Sequence, residues 1–207
     1  MKLRDLVLAF GLAAAAATAW ATEPVEAAAD FTEHGFTLGE GGDMPLPGTL
    51  AMPAGEGLFP AVVLVHGSGP NDRDGSIGPN HPLRDIAHGL AARGIAVLRY
   101  EKRTKLYPVA AAFDPEFGVD EESTSDAVEA VAVLRTSAGI DPERVFVFGH
   151  SLGAMLTPRI VARADGAAGG IMYAASPRTM LDLLPEQVAR MGELRGADPA
   201  ATAASLE

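Results

Sequence analysis

Apolar positions along this chain follow two alternating rhythms. Continuous apolar runs of strand length occur at "PAVVLVHG" (60–67), "IAVLRY" (95–100), "RVFVFG" (144–149) and "GGIMYAA" (169–175). Such runs suit strands covered on both faces of a parallel sheet. Between them the spacing turns helical. Leu83, Ile86, Ala87, Leu90 and Ala91 recur at i, i+3, i+4, i+7 and i+8, and Gly94 sits where a C-cap is expected. Asp120, Glu121 and Glu122 favour a helix start through the macrodipole, ahead of an apolar stripe of Ala127, Ala130, Val131 and Leu134. A third helix is predicted from Ser151 to about Ala164, bent at Pro158. A fourth is predicted to open on Ser176 and Pro177 as N-cap and N1, striped by Leu181, Leu184, Val188 and Met191. Upstream, "GFTLG" and "GTLAMP" lie between glycine- and proline-rich turns and predict an antiparallel pair. The sum is an α/β fold: a mostly parallel sheet with helices on both faces, preceded by antiparallel strands and joined by short connections.

Composition narrows the function. With 207 residues and 48% hydrophobic content, the chain can bury one sizeable core. A formal charge of −11 and no basic stripe argue against nucleic acid as a partner, because displacing counterions from a polyanion requires clustered Lys and Arg. The absence of cysteine excludes disulfides, thiolate metal sites and a cysteine nucleophile. At the N-terminus, Lys2 and Arg4 precede an apolar run from Leu6 to Ala17 and the small-x-small triplet Ala19, Trp20, Ala21. This predicts a cleavable signal peptide over 1–21 and one folded domain over 22–207. The run is short and alanine-rich for a roughly 20-residue membrane span. The expected location is therefore secreted or periplasmic, with no stable membrane anchor after cleavage.

Candidate chemistry gathers in two places. Gly149, His150, Ser151, Leu152 and Gly153 fit G-x-S-x-G, a tight strand-to-helix turn that lifts a nucleophilic serine clear of the sheet. The bland alternative is that Ser151 only caps the helix. The second place is the loop "HGSGPNDRDGSIGPN" (66–80), which follows a buried strand. A tetrahedral oxyanion needs two converging N–H groups; the Leu152 backbone supplies one, and Ser68, or alternatively Gly67, the other. His66 is expected to order this loop rather than act as a base. Asp72, Arg73 and Asp74 are expected to be local turn or ion-pair partners, while His34, His81 and His88 carry no motif.

The stretch "VVLVHGSGPNDRDGSIGPNHPLRDIAHGLAARGIAVLRYEKRT" together with "GIDPERVFVFGHSLGAMLTPRI" resembles the α/β-hydrolase superfamily. More narrowly it is similar to EstD-like bacterial carboxylesterases, with serine aminopeptidase-type and dienelactone-hydrolase-type relatives. The similarity runs from about Phe36 to Arg195. It implies a small-molecule ester substrate, a serine nucleophile at Ser151, oxyanion donors at Ser68 and Leu152, and no metal or organic cofactor. One departure stands out. In such enzymes the acid and the histidine follow the nucleophile, yet no histidine follows Ser151 here. The triad acid and base are thus expected beyond residue 207, with about 176–207 beginning a cap or linker. On that reading the chain alone is nearly inactive and exposes a sheet edge prone to self-association. Peptidase, thioesterase or lactone hydrolysis, and a non-catalytic binding protein built on the same fold, stay open as alternatives.

Overall fold

In strand β3 (Phe59–Val65), alternate residues go to opposite sides of a sheet. Ala61, Val63 and Val65 belong to one buried cluster and Val62 and Leu64 to another. This period-2 split fixes the layered architecture. The computed structural model of the protein describes residues 30–196. The expected signal peptide, 1–21, and the alanine-rich segment 197–207 lie outside the described residues.

Six strands form one mixed sheet in the order β1-β2-β4-β3-β5-β6. β1 (Phe31–Leu38) and β2 (Leu46–Pro53) are the expected antiparallel pair, and β2 also runs antiparallel to β4 (Ala96–Tyr100). β4, β3, β5 (Ile140–His150) and β6 (Ala167–Tyr173) are mutually parallel. The fold is therefore α/β, with the parallel runs read from the sequence all present as strands.

The larger cluster lies beneath α4 (Ser125–Thr136) and α5 (Leu152–Arg163). Ala127, Ala130, Val131 and Leu134 are completely buried there, as their spacing predicts. The acidic run Asp120 to Glu122 belongs to a π-helical turn, Asp120–Thr124, that leads into α4. The opposite face is covered by α1 (Pro82–Ala91), which packs Leu83 and Ala87 on Val62, Leu64 and Val97. Beside α1 an apolar groove of about 490 Å³ is lined by Phe146, Phe148 and Ile171. Among the described residues β6 forms one edge of the sheet, and its Ile171, Met172 and Tyr173 are exposed.

Two expectations change. The last helix, α6 (Met180–Leu194), starts later than Ser176-Pro177. Thr179 caps it by accepting from the Asp182 N–H at 3.2 Å and donating to the Asp182 carboxylate at 2.7 Å, whereas Ser176 accepts from Arg178 N–H in the preceding turn. The Thr179 hydroxyl thereby satisfies one orphan N–H of the first turn, and the Asp182 carboxylate holds the hydroxyl in place. The stripe of α6 also stays open to solvent: Leu181, Leu184 and Met191 are exposed and none of the helix's residues is buried. Two short helices, α2 (Arg103–Leu106) and α3 (Pro108–Phe113), complete the segment between β4 and the π turn.

Candidate active site

β5 ends at His150, α5 begins at Leu152, and Ser151 alone makes the turn. Its backbone sits at φ 52° and ψ −112°, a region an L-residue enters at a cost of about 1–3 kcal/mol. Only surrounding structure can hold it there. The Ser151 N–H donates to Tyr173 O on β6 at 3.0 Å, and the Gly153 N–H donates to His66 O at the end of β3 at 3.0 Å. Two neighbouring strands thus clamp the turn. Ser151 occupies the N-cap position of α5, but its side chain makes no capping bond to the helix.

The glycines of the motif are required by contact. A Cβ on Gly149 would lie 2.2 Å from Gly153 O and 2.3 Å from Thr157 Oγ1. One on Gly153 would lie 2.5 Å from His66 O and 2.6 Å from Val65 O. Both positions therefore let α5 descend onto β3 and β5 with its N-terminus at the serine. One on Gly67 would lie 3.3 Å from Ser151 Cβ and 3.2 Å from His150 Nδ1. The loop after β3 thus passes directly beside Ser151.

That loop is fixed from below. Lys102, just past β4 and only 1% exposed, donates from Nζ to Gly67 O at 2.8 Å and ion-pairs with Glu122 at 2.5 Å. Burial pulls its ammonium below the ordinary lysine range, and the hydrogen bond and charge of Glu122 oppose that pull. Asn71 Nδ2 donates to the carbonyls of Gly67 at 3.2 Å, Ser68 at 2.9 Å and Gly69 at 3.1 Å. The Ser68 and Leu152 N–H groups donate to no other group among the described residues. Ser68, Leu152, Gly67 and Ser151 therefore converge on one corner of the sheet.

His66 is buried, its ring edge-on to Tyr100 at 5.3 Å, with no partner for Nε2 among the described residues. Burial, and then the Lys102 cation, depress its pKa from 6.5 to about 4. A small cavity of about 70 Å³, lined by His66, Asn71, Leu83, His150 and Tyr173, adjoins the loop. His150 lies against Tyr173 at a ring separation of 5.8 Å. Asp72 makes the expected local turn by accepting from the N–H groups of Asp74 and Ser76. Arg73 and Asp74 instead pair across the fold, with Glu101 at 2.8 Å and Arg99 at 2.9 Å, because β4 ends directly beneath them. His34, His81 and His88 bond Thr32, Ser76 and Glu33, away from the elbow. Among the described residues no group of three or more His, Asp or Glu is placed to hold a metal.

Comparison with known proteins settles the family. The alpha/beta hydrolase family model matches residues 62–206, which contain both the loop and the elbow. The chain belongs to the alpha/beta hydrolase family. It is 50% identical over 144 residues to esterase EstD from Thermotoga maritima, covering 69% of this chain and 33% of that protein. Among solved structures it resembles a bacterial heroin esterase, with TM-score 0.55 and 20% identity over 90% of this chain and 56% of the other. It also resembles brefeldin A esterase, a bacterial homologue of human hormone-sensitive lipase, with TM-score 0.53 and 23% identity over 84% and 49% of the two chains. The chain thus spans a third of the length of EstD and about half the length of these structural neighbours.

Sequence reading alone missed Lys102, Glu122 and Asn71. The available signal was a lysine two residues past a fully buried strand, in "RYEKRT", and an asparagine four residues past Gly67.

Proposed function

We propose that this chain carries the nucleophile and oxyanion hole of a serine carboxylesterase acting on small-molecule esters. Ser151 Oγ attacks the ester carbonyl carbon, and the negative oxygen that forms is met by the N–H groups of Leu152 and Ser68. A histidine takes the serine proton and hands it to the departing alcohol, leaving an acyl-serine that water then hydrolyses. We assign that histidine and its acid partner to protein sequence following residue 207. The observation that carries the reading is the backbone of Ser151, held at φ 52° with an uncapped side chain and Gly67 packed beside it. Strain of this kind persists where neighbouring structure enforces it, and here two strands do so. The likeness to EstD supports an ester rather than another acyl substrate. From the apolar run and small-x-small triplet read over 1–21, we assign the enzyme to the periplasm or the cell exterior.

The test is hydrolysis by the full-length protein of a panel of p-nitrophenyl esters, acyl thioesters and aminoacyl anilides, with Ser151→Ala alongside. Ester turnover that vanishes in Ser151→Ala is expected. Anilide turnover exceeding ester turnover would replace esterase by peptidase, and full activity in Ser151→Ala would remove the serine mechanism.

A further inference from the structure

Lys102 is a buried cation beside a site whose proposed chemistry does not use it. Its Nζ has two partners: Glu122 at 2.5 Å, and the Gly67 carbonyl at 2.8 Å. The second bond is informative because of what lies on the other side of the same peptide group. A trans peptide is planar, so the Gly67 C=O and the Ser68 N–H point in opposite directions and turn together. Anchoring one aims the other. With Gly67 O drawn toward Lys102, beneath the loop, the Ser68 N–H is turned the opposite way. Asn71 Nδ2 grips the same carbonyl at 3.2 Å and the next two carbonyls as well. Glu122, which holds the ammonium, sits in a π-helical turn, an insertion that recurs at functional sites.

We propose that Lys102 is a positioning residue for the oxyanion hole. It holds the Gly67–Ser68 peptide so that the Ser68 N–H faces the reacting oxygen, with Asn71 as a second anchor. The assignment rests on the serine esterase reading and selects Ser68 over Gly67 as the donor. Lys102 touches neither substrate nor nucleophile. Its ammonium also polarises the peptide it grips and makes the Ser68 N–H a better donor.

The experiment measures kcat and KM for a p-nitrophenyl ester, together with Tm, in the full-length protein and four variants. These are Lys102→Met, Lys102→Met/Glu122→Gln, Asn71→Ala and Ser151→Ala. In Lys102→Met, kcat should fall about 10- to 100-fold with KM within about threefold, because an oxyanion contact is made chiefly in the transition state. The double variant removes the unpaired Glu122 charge and should regain Tm without regaining kcat. Recovery of kcat together with Tm would show a structural role only and overturn the assignment. If Lys102→Met does not fold, Asn71→Ala decides, since unchanged kcat there removes the clamp. Turnover that survives Ser151→Ala refutes the esterase reading itself, and that outcome is separate from the Lys102 results.

Discussion

Replacing Gly153 by alanine adds one methyl group at the point where α5 meets the end of β3. The new Cβ would stand 2.5 Å from His66 O, 2.6 Å from Val65 O and 3.0 Å from Val65 C, all backbone atoms at the end of β3. None of these can swing aside as a side chain could. β3 is flanked by β4 and β5, so relief must come from lifting α5 off the sheet. Overpacking of this kind costs about 1–3 kcal/mol, and a rigid neighbour puts Gly153→Ala at the upper end. Lifting α5 also stretches the 3.0 Å bond from Gly153 N–H to His66 O, worth about 1 kcal/mol net. The expected loss is about 3–4 kcal/mol, or about 6–16 °C in Tm for a domain of this size. Gly89→Ala supplies the control. It lies within α1, where an added Cβ meets only the tip of Arg93 at 3.7 Å, so helix propensity should make it stabilising by about 0.5–1 kcal/mol. Urea denaturation of both variants against the parent measures the difference. A Gly153→Ala loss below about 1 kcal/mol would show that α5 does not rest on β3 as closely as described.

Two further outcomes follow from the same corner. Ser151→Gly relieves the strain at φ 52° and should raise stability by about 1 kcal/mol while abolishing ester hydrolysis, so opposite signs in denaturation and activity assays are expected. His66 takes up a proton more readily unfolded, near 6.5, than folded, near 4, so its contribution is complete above pH 6.5 and is lost as pH falls toward 4. That loss amounts to about 3 kcal/mol at most; His66→Phe should flatten the stability profile in this window, and an imidazole that NMR finds protonated at pH 6 would contradict it.

The strands and the elbow were legible because each depends on near neighbours in the chain. Apolar runs such as "AVVLV" and "VFVF" can only be buried strands or core helices, and their length and flanking glycines choose between these. Gly149, Ser151 and Gly153 carry the elbow within five residues. What the sequence hid depends on distant partners. Lys102 stands in "YEKRTK", which looks like a solvated charge run, and becomes buried only because Glu122 and the loop after β3 close over it. Arg73 and Asp74 lie amid turn residues and pair with Glu101 and Arg99, 28 and 25 residues away. At α6 the sequence pointed to Ser176 and Pro177, and the cap formed instead at Thr179, whose hydroxyl accepts from the Asp182 N–H.

The central claim is that Ser151 is the nucleophile, and covalent labelling tests it most directly. The full-length protein would be treated with a fluorophosphonate probe, digested and mapped by mass spectrometry. The account predicts one modified peptide, bearing the probe on Ser151 and absent from Ser151→Ala. Probe attached to another serine, or equal labelling of Ser151→Ala, would contradict it.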